Sequence, residues 1–151
     1  MSYTVYSMKE LTGQNPPNAI EGFVFFSTLE DRSWNVLSRL SDCGNLPENI
    51  LSLGLQDGEQ SKNYGKAEYA DLKFSHVTIS KDLSANLIPC LKSLKQYVED
   101  KKSIGIDISV MPTPIFYQIL HFLFENCADK KIIIYYTEPG HYNLDNLFDF
   151  K

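Results

Sequence analysis

Apolar residues fall in short blocks along this chain, separated by polar, turn-forming stretches. Gly22-Phe23-Val24-Phe25-Phe26 is an unbroken apolar run of strand length. Strands buried on both faces read this way, as they do in parallel sheets. The run ends in Ser27-Thr28-Leu29-Glu30-Asp31-Arg32, and Trp34, Val36, Leu37 and Leu40 then recur at roughly helical spacing. Thr28 with an acid three residues on matches a capping box, which predicts a helix start at that point. Residues 49–55 (NILSLGL) form a second strand candidate, bounded by Pro47 and by Asp57-Gly58. Residues 56–73 are polar and read as a loop with at most a short helix near 67–72. Connections of that length are uncommon in compact domains.

A third strand is predicted over 74–80, alternating in part. A helix follows through Leu87, Leu91, Leu94 and Val98, with Pro89 tolerated in its first turn. Residues 103–109 (SIGIDIS) read as a fourth strand. Thr113 as N-cap and Pro114 as first helical residue predict the next helix. Its apolar residues lie almost all round as far as Asn126, which predicts a deeply covered helix. Residues 131–136 (KIIIYY) form the fifth strand and end in Thr137-Glu138-Pro139-Gly140. Strands alternating with helices predict a three-layer α/β fold, a mostly parallel sheet of about five strands with helices on both faces. The domain spans residues 22–142, after an extension over 1–21 and before an apolar tail over 143–151.

Composition narrows the function classes. The chain has 151 residues, 43% of them apolar, with nine Phe, nine Tyr and one Trp, which argues against disorder. Its net charge of −5 argues against nucleic acid as a partner, because phosphate backbones need cationic contacts. No basic and apolar leader opens the sequence. The greasiest stretch, 115–124, falls far short of the roughly 20 apolar residues that span a bilayer. Cys43, Cys90 and Cys127 are odd in number and scattered, which reads as reduced core cysteines in a cytoplasmic protein without a membrane partner.

Open parallel sheets bind ligands beyond the carboxyl ends of their strands, where strand order reverses. The residues delivered there can be named. After the first strand come Ser27, Thr28, Glu30, Asp31 and Arg32. After the fourth come Asp107 and Ser109. After the fifth come Thr137, Glu138, His141 and Tyr142. Gln56, Asp57, Ser80 and Asp82 follow strands two and three. Asp107 stands out, because it lies between Ile106 and Ile108, and a carboxylate in an apolar strand is costly unless paired. Each of the others has a bland reading. Thr28 and Asp31 serve as a cap, Glu30 as a first-turn acid, Arg32 as a surface ion-pair partner and Glu138 as an exposed turn acid. His76 and His121 read as structural.

No P-loop, no G-x-G-x-x-G after the first strand and no G-x-S-x-G elbow is present, and the three histidines form no zinc pattern. The sequence therefore names no cofactor and no metal ligand. The remaining edge is rich in hydroxyls and carboxylates. Such groups can hold Mg²⁺ with a phosphate, bind a sugar through its hydroxyls, or act as general acid and base.

Leu29-Glu30-Asp31-Arg32, Asp107-Ile108-Ser109-Val110-Met111-Pro112 and Tyr136-Thr137-Glu138-Pro139, with Tyr142 beyond, resemble three elements of a largely uncharacterised group of bacterial proteins. The group carries E-[DE]-R, D-I-[ST]-x-M-P and Y-T-E-P motifs. The resemblance implies a Rossmann-like domain with these motifs on one rim, in a setting of bacterial stress or phage defence. It implies no established reaction. Thr113 stands where the group often has a basic residue after Met-Pro, which puts that phosphate contact in doubt. Members of the group are longer, which implies a shortened form or one part of a larger assembly.

The reading is a domain that binds or processes a nucleotide or sugar phosphate. Asp107, Glu138 and Glu30 are the candidate catalytic groups. Thr28, Asp31, Arg32, Ser109, Thr137 and Tyr142 are the candidate ligand contacts. The alternative is a non-enzymatic interaction module. In that case Leu144, Leu147, Phe148 and Phe150 form a patch for a second copy or another protein, if they do not fold back on the domain.

Overall fold

The computed structural model describes residues 20–55, 69, 71–80 and 87–139. The elements run β1 (Gly22–Phe26), a 3-10 turn (Asp31–Trp34), α1 (Asn35–Asp42), β2 (Asn49–Leu55), β3 (Lys73–Ile79), α2 (Ile88–Val98), β4 (Ser103–Asp107), α3 (Thr113–Asn126) and β5 (Lys131–Tyr135). The five strands form one sheet in the order β3-β2-β1-β4-β5, and every pairing is parallel. This is a Rossmann-like three-layer α/β fold.

Position in the sheet explains the strand patterns. β1 is central, and all five of its residues are buried, so both of its faces must be apolar. β3 and β5 are edges, and their exposed Lys73, Ser75, Thr78 and Lys131 follow from that. On one face, α2 and α3 cover Val24, Phe26, Leu51, Leu53, Ile104 and Ile106. On the other, Trp34, Val36, Leu37 and Leu40 cover Phe23, Phe25, Ile50 and Tyr135. The Phe25 and Trp34 rings meet edge to face at 5.0 Å, a geometry aromatic quadrupoles favour. Packing reaches back to Ile20, which is buried on the α1 face. At the amino end of the sheet, the Tyr97 hydroxyl accepts the Phe23 N–H at 2.9 Å and lies 2.6 Å from the Asn49 carbonyl, tying α2 to β1 and β2.

Four local expectations need correction. Thr28 and Asp31 form no capping box. The Thr28 hydroxyl instead accepts the Glu30 N–H at 3.0 Å, a tighter turn, and the helix opens as 3-10 with Glu30 at its cap. Thr113 is the first helical residue rather than the cap. Pro112 is extended at ψ 137°, and its carbonyl accepts the N–H groups of Ile115 and Phe116, both at 3.0 Å. The fourth strand stops at Asp107 and not Ser109, because the Asp107 carboxylate draws the Ser109 N–H into a turn. Finally, α3 is not deeply covered. Ile115, Ile119 and Leu123 are fully buried as one stripe, while Tyr117 and Phe124 are 65% and 43% exposed. A three-layer sandwich covers only one side of its outer helices.

All three cysteines are free, with Cys90 and Cys127 buried. Among the described residues, no helix is long and apolar enough to cross a membrane. Of the loop predicted over 56–73, Lys73 instead opens β3, and residues 56–68 and 70 lie outside the described residues, as do Asp82, His141, Tyr142 and the tail at 143–151.

Candidate functional site

The strand order reverses between β1 and β4, since the chain moves from β1 outward to β2 and β3 and then returns to β4 on the other side. The connections that leave these two carboxyl ends run to opposite faces of the sheet, to α1 on one and α3 on the other, which is where sheets of this kind bind ligands. Phe25 of β1 is in register with Asp107, the last residue of β4, so Asp107 lies at that switch point.

The turn after β1 is tied down from within. The Ser33 hydroxyl donates to the Glu30 carbonyl at 2.7 Å, and the Trp34 indole N–H donates to the Thr28 carbonyl at 3.2 Å. Thr28 and Ser33 are thus engaged in shaping the turn that carries Arg32. Arg32 is mostly buried, and its Nε lies 3.4 Å from Glu30 Oε1 without hydrogen-bond geometry. Glu30 and Asp31 are exposed.

Asp107 is 2% exposed. Its Oδ1 accepts the Ser109 N–H at 3.0 Å and also the Ser109 hydroxyl. The Ser109 oxygen in turn accepts the Thr137 N–H at 2.8 Å. The Thr137 hydroxyl oxygen accepts from Asn35 Nδ2 at 3.1 Å. One chain of hydrogen bonds therefore joins the ends of β4 and β5 to the start of α1. Burial pushes the Asp107 carboxyl up to about 6, although the Ser109 bonds and the positive charge of Arg32 oppose the rise. Tyr135, in register beside it, has its phenol pushed up to about 12, chiefly by burial.

Two buried atoms have no hydrogen-bond partner among the described residues, Asp107 Oδ2 and Arg32 Nε. One is an acceptor and the other a donor. A buried polar atom left unpaired costs about 1–3 kcal/mol, more when charged, so each needs an explanation.

Of the sequence candidates, Asp107, Ser109 and Thr137 are brought together directly, and Arg32 acts on Asp107 through its charge. Glu138 is exposed and forms no hydrogen bond or ion pair with the described residues. Asn35 was missed, and its only sequence signal is an amide at the start of a helix. A second polar group was missed as well. Ser52, fully buried in β2, lies 3.1 Å from both Ser27 Oγ and His76 Nδ1. Burial holds the His76 imidazole below its ordinary range. Among the described residues, no three His, Cys, Asp or Glu side chains gather to hold a metal ion.

No protein-family model matches the chain, and no curated protein matches it.

Proposed function

We propose that this domain binds or processes a nucleotide or sugar phosphate between the carboxyl ends of β1 and β4. The observation that carries the reading is the unpartnered Asp107 Oδ2, buried at the point where strand order reverses. Natural structures rarely leave such an atom unpaired without a use for it. Arg32 supplies positive charge beside it. The resemblance of the three rim motifs to a bacterial stress and defence group implies a site on this same rim, though no particular reaction.

A thermal-shift screen of nucleotides and sugar phosphates, with and without Mg²⁺, tests it. At least one ligand is expected to raise the wild-type Tm and to leave Asp107→Ala unmoved. If no ligand shifts the wild type more than the variant, the reading fails.

A second reading, an interaction module, is favoured by Tyr117, Phe124, Ile134 and Tyr136. These are four large side chains 43–65% exposed on α3, β5 and the residue after β5. Light scattering after size exclusion tests it, and a monomer at high concentration with no co-purifying partner counts against it.

A further inference from the structure

The two edges of the sheet are finished differently. On β3 the exposed positions are Lys73, Ser75, His76 and Thr78, all polar. β5 runs through Ile132, Ile133 and Ile134, and Ile134 is 44% exposed, with Tyr136 beyond it 57% exposed. Natural edge strands are blunted with charge, proline or bulges, because an open row of backbone groups pairs with any strand that meets it. The only charge on β5 is Lys131, at its first residue, and the strand has no proline.

Backbone hydrogen bonds show which groups of β5 face outward. The Lys131 N–H donates to the Lys102 carbonyl at 2.8 Å, and the Tyr135 carbonyl accepts the Ile108 N–H at 3.0 Å. The Thr137 N–H donates to Ser109 Oγ at 2.8 Å. Odd-numbered residues thus turn their backbone groups toward β4 as far as Thr137. Ile132, Ile134 and Tyr136 turn theirs the other way, where β5 has no neighbouring strand among the described residues. Ile132 packs against the α2–α3 layer and Ile134 shares its face, so the open edge also carries an apolar row.

This edge is its own complement. An antiparallel two-fold centred on Ile134 sets Ile134 against its equivalent and Ile132 against Tyr136. It also sets Glu138 of each chain beside the Lys130–Lys131 pair of the other. Lys131 and Glu138 are both exposed, and neither has an ion-pair partner among the described residues. Pro139 favours an extended Glu138, which prolongs the line of the strand.

We propose that two copies of this chain pair through antiparallel β5 edges and join their sheets into one. The pairing rests on the interaction reading above and is independent of ligand binding.

Sedimentation velocity of the full chain over about 1–200 µM tests it, since small interfaces bind on the order of micromolar. A monomer–dimer equilibrium is expected. Ile134→Pro removes one outward N–H and no bond to β4, and edge positions tolerate proline. The dimer then loses two backbone bonds and is expected to weaken about ten-fold or more. Ile134→Lys leaves the backbone intact and serves if the proline variant does not fold, with a comparable loss expected. Lys131→Glu is expected to weaken the dimer by about two- to five-fold, and adding Glu138→Lys to restore it.

Register is read by Ile134→Cys. Hydrogen-bonded antiparallel partners have Cα atoms about 5.5 Å apart, within disulfide range. Oxidised glutathione is expected to link this variant to itself. The wild type, with its free Cys43, Cys90 and Cys127, and Lys131→Cys, whose equivalents lie roughly 20 Å apart in this register, are expected to stay unlinked. A dimer unchanged by Ile134→Lys, or one whose Ile134→Cys form does not link, overturns the β5 pairing and leaves an interaction module standing. A monomer that dimerises only in Phe148→Asp marks residues 143–151 as the occupant of the edge and also overturns it. A monomer in every variant, with no co-purifying protein, overturns the pairing and the interaction reading together.

Discussion

Asp107 and Ser109 are joined twice, through the serine's backbone N–H and through its hydroxyl, and both bonds fall on the same carboxylate oxygen. The arrangement closes a turn at the end of β4 and leaves the second oxygen bare. Ser109→Ala removes the hydroxyl bond and strips the Thr137 N–H of its acceptor. A loss of about 1–3 kcal/mol in urea unfolding is expected. The Asp107 carboxyl is also expected to titrate higher, since a bond to its charged form is gone. Carboxyl NMR across a pH series reads that second effect.

Stability is expected to depend on pH through Asp107. Folding raises this group from 3.8 to about 6, so between those values the folded chain holds a proton that the unfolded chain has released. The stabilisation is complete below about pH 3.8 and is lost as pH climbs through about 6. The gap corresponds to about 3 kcal/mol. Denaturant titrations from pH 4 to 7.5 should show this decline in the wild type and a flatter curve in Asp107→Asn. A wild-type curve parallel to that of the variant would show that Asp107 titrates normally.

Gly105 makes room for two neighbours. A Cβ on it would sit 2.7 Å from a ring carbon of Tyr135 and 3.0 Å from Ile20. Tyr135 is 4% exposed and Ile20 5%, so neither has space to withdraw into. Gly105→Ala is expected to destabilise by about 1–3 kcal/mol through overpacking. A shift in urea midpoint without a change in slope is the measurement.

The single buried stripe of α3 separates two substitutions on one helix. Ile119→Ala, at a fully buried position, is expected to cost about 2–5 kcal/mol. Tyr117→Ala, at a position 65% exposed, is expected to stay within about 0.5 kcal/mol of wild type. Equal losses from the two would show that the outer face of the helix is also covered in solution.

The fold was legible in the sequence because its strands are short apolar blocks whose burial depends on nothing but the sheet. The Gly22–Phe26 run marks itself as buried on both faces, but strand order was not legible, since the edge strand β5 is as apolar a run as the central β1. Cap assignments failed because backbone geometry, and not the presence of a polar side chain, sets where each helix begins, and neither start has a side-chain cap. Thr28 lost to the 3-10 start and Thr113 to the Pro112 carbonyl. Asp107 was visible as a carboxylate among isoleucines. Its partner network was less so, since Asn35 meets Thr137 across 102 residues. Nor could an apolar-looking strand disclose that Ser52 lies against His76, because that pairing depends on strand order and register.

His76, Ser52, Phe25, Asp107 and Tyr135 occupy one register row across all five strands. Phe25 stands between an imidazole-hydroxyl half and a carboxylate half of that row, and burial is the first cause of the shift at both His76 and Asp107. The two groups are three strand spacings apart, roughly 14 Å, which is more than a Debye length of about 8 Å. Each half of the rim therefore takes its proton affinity first from the depth of its own strand.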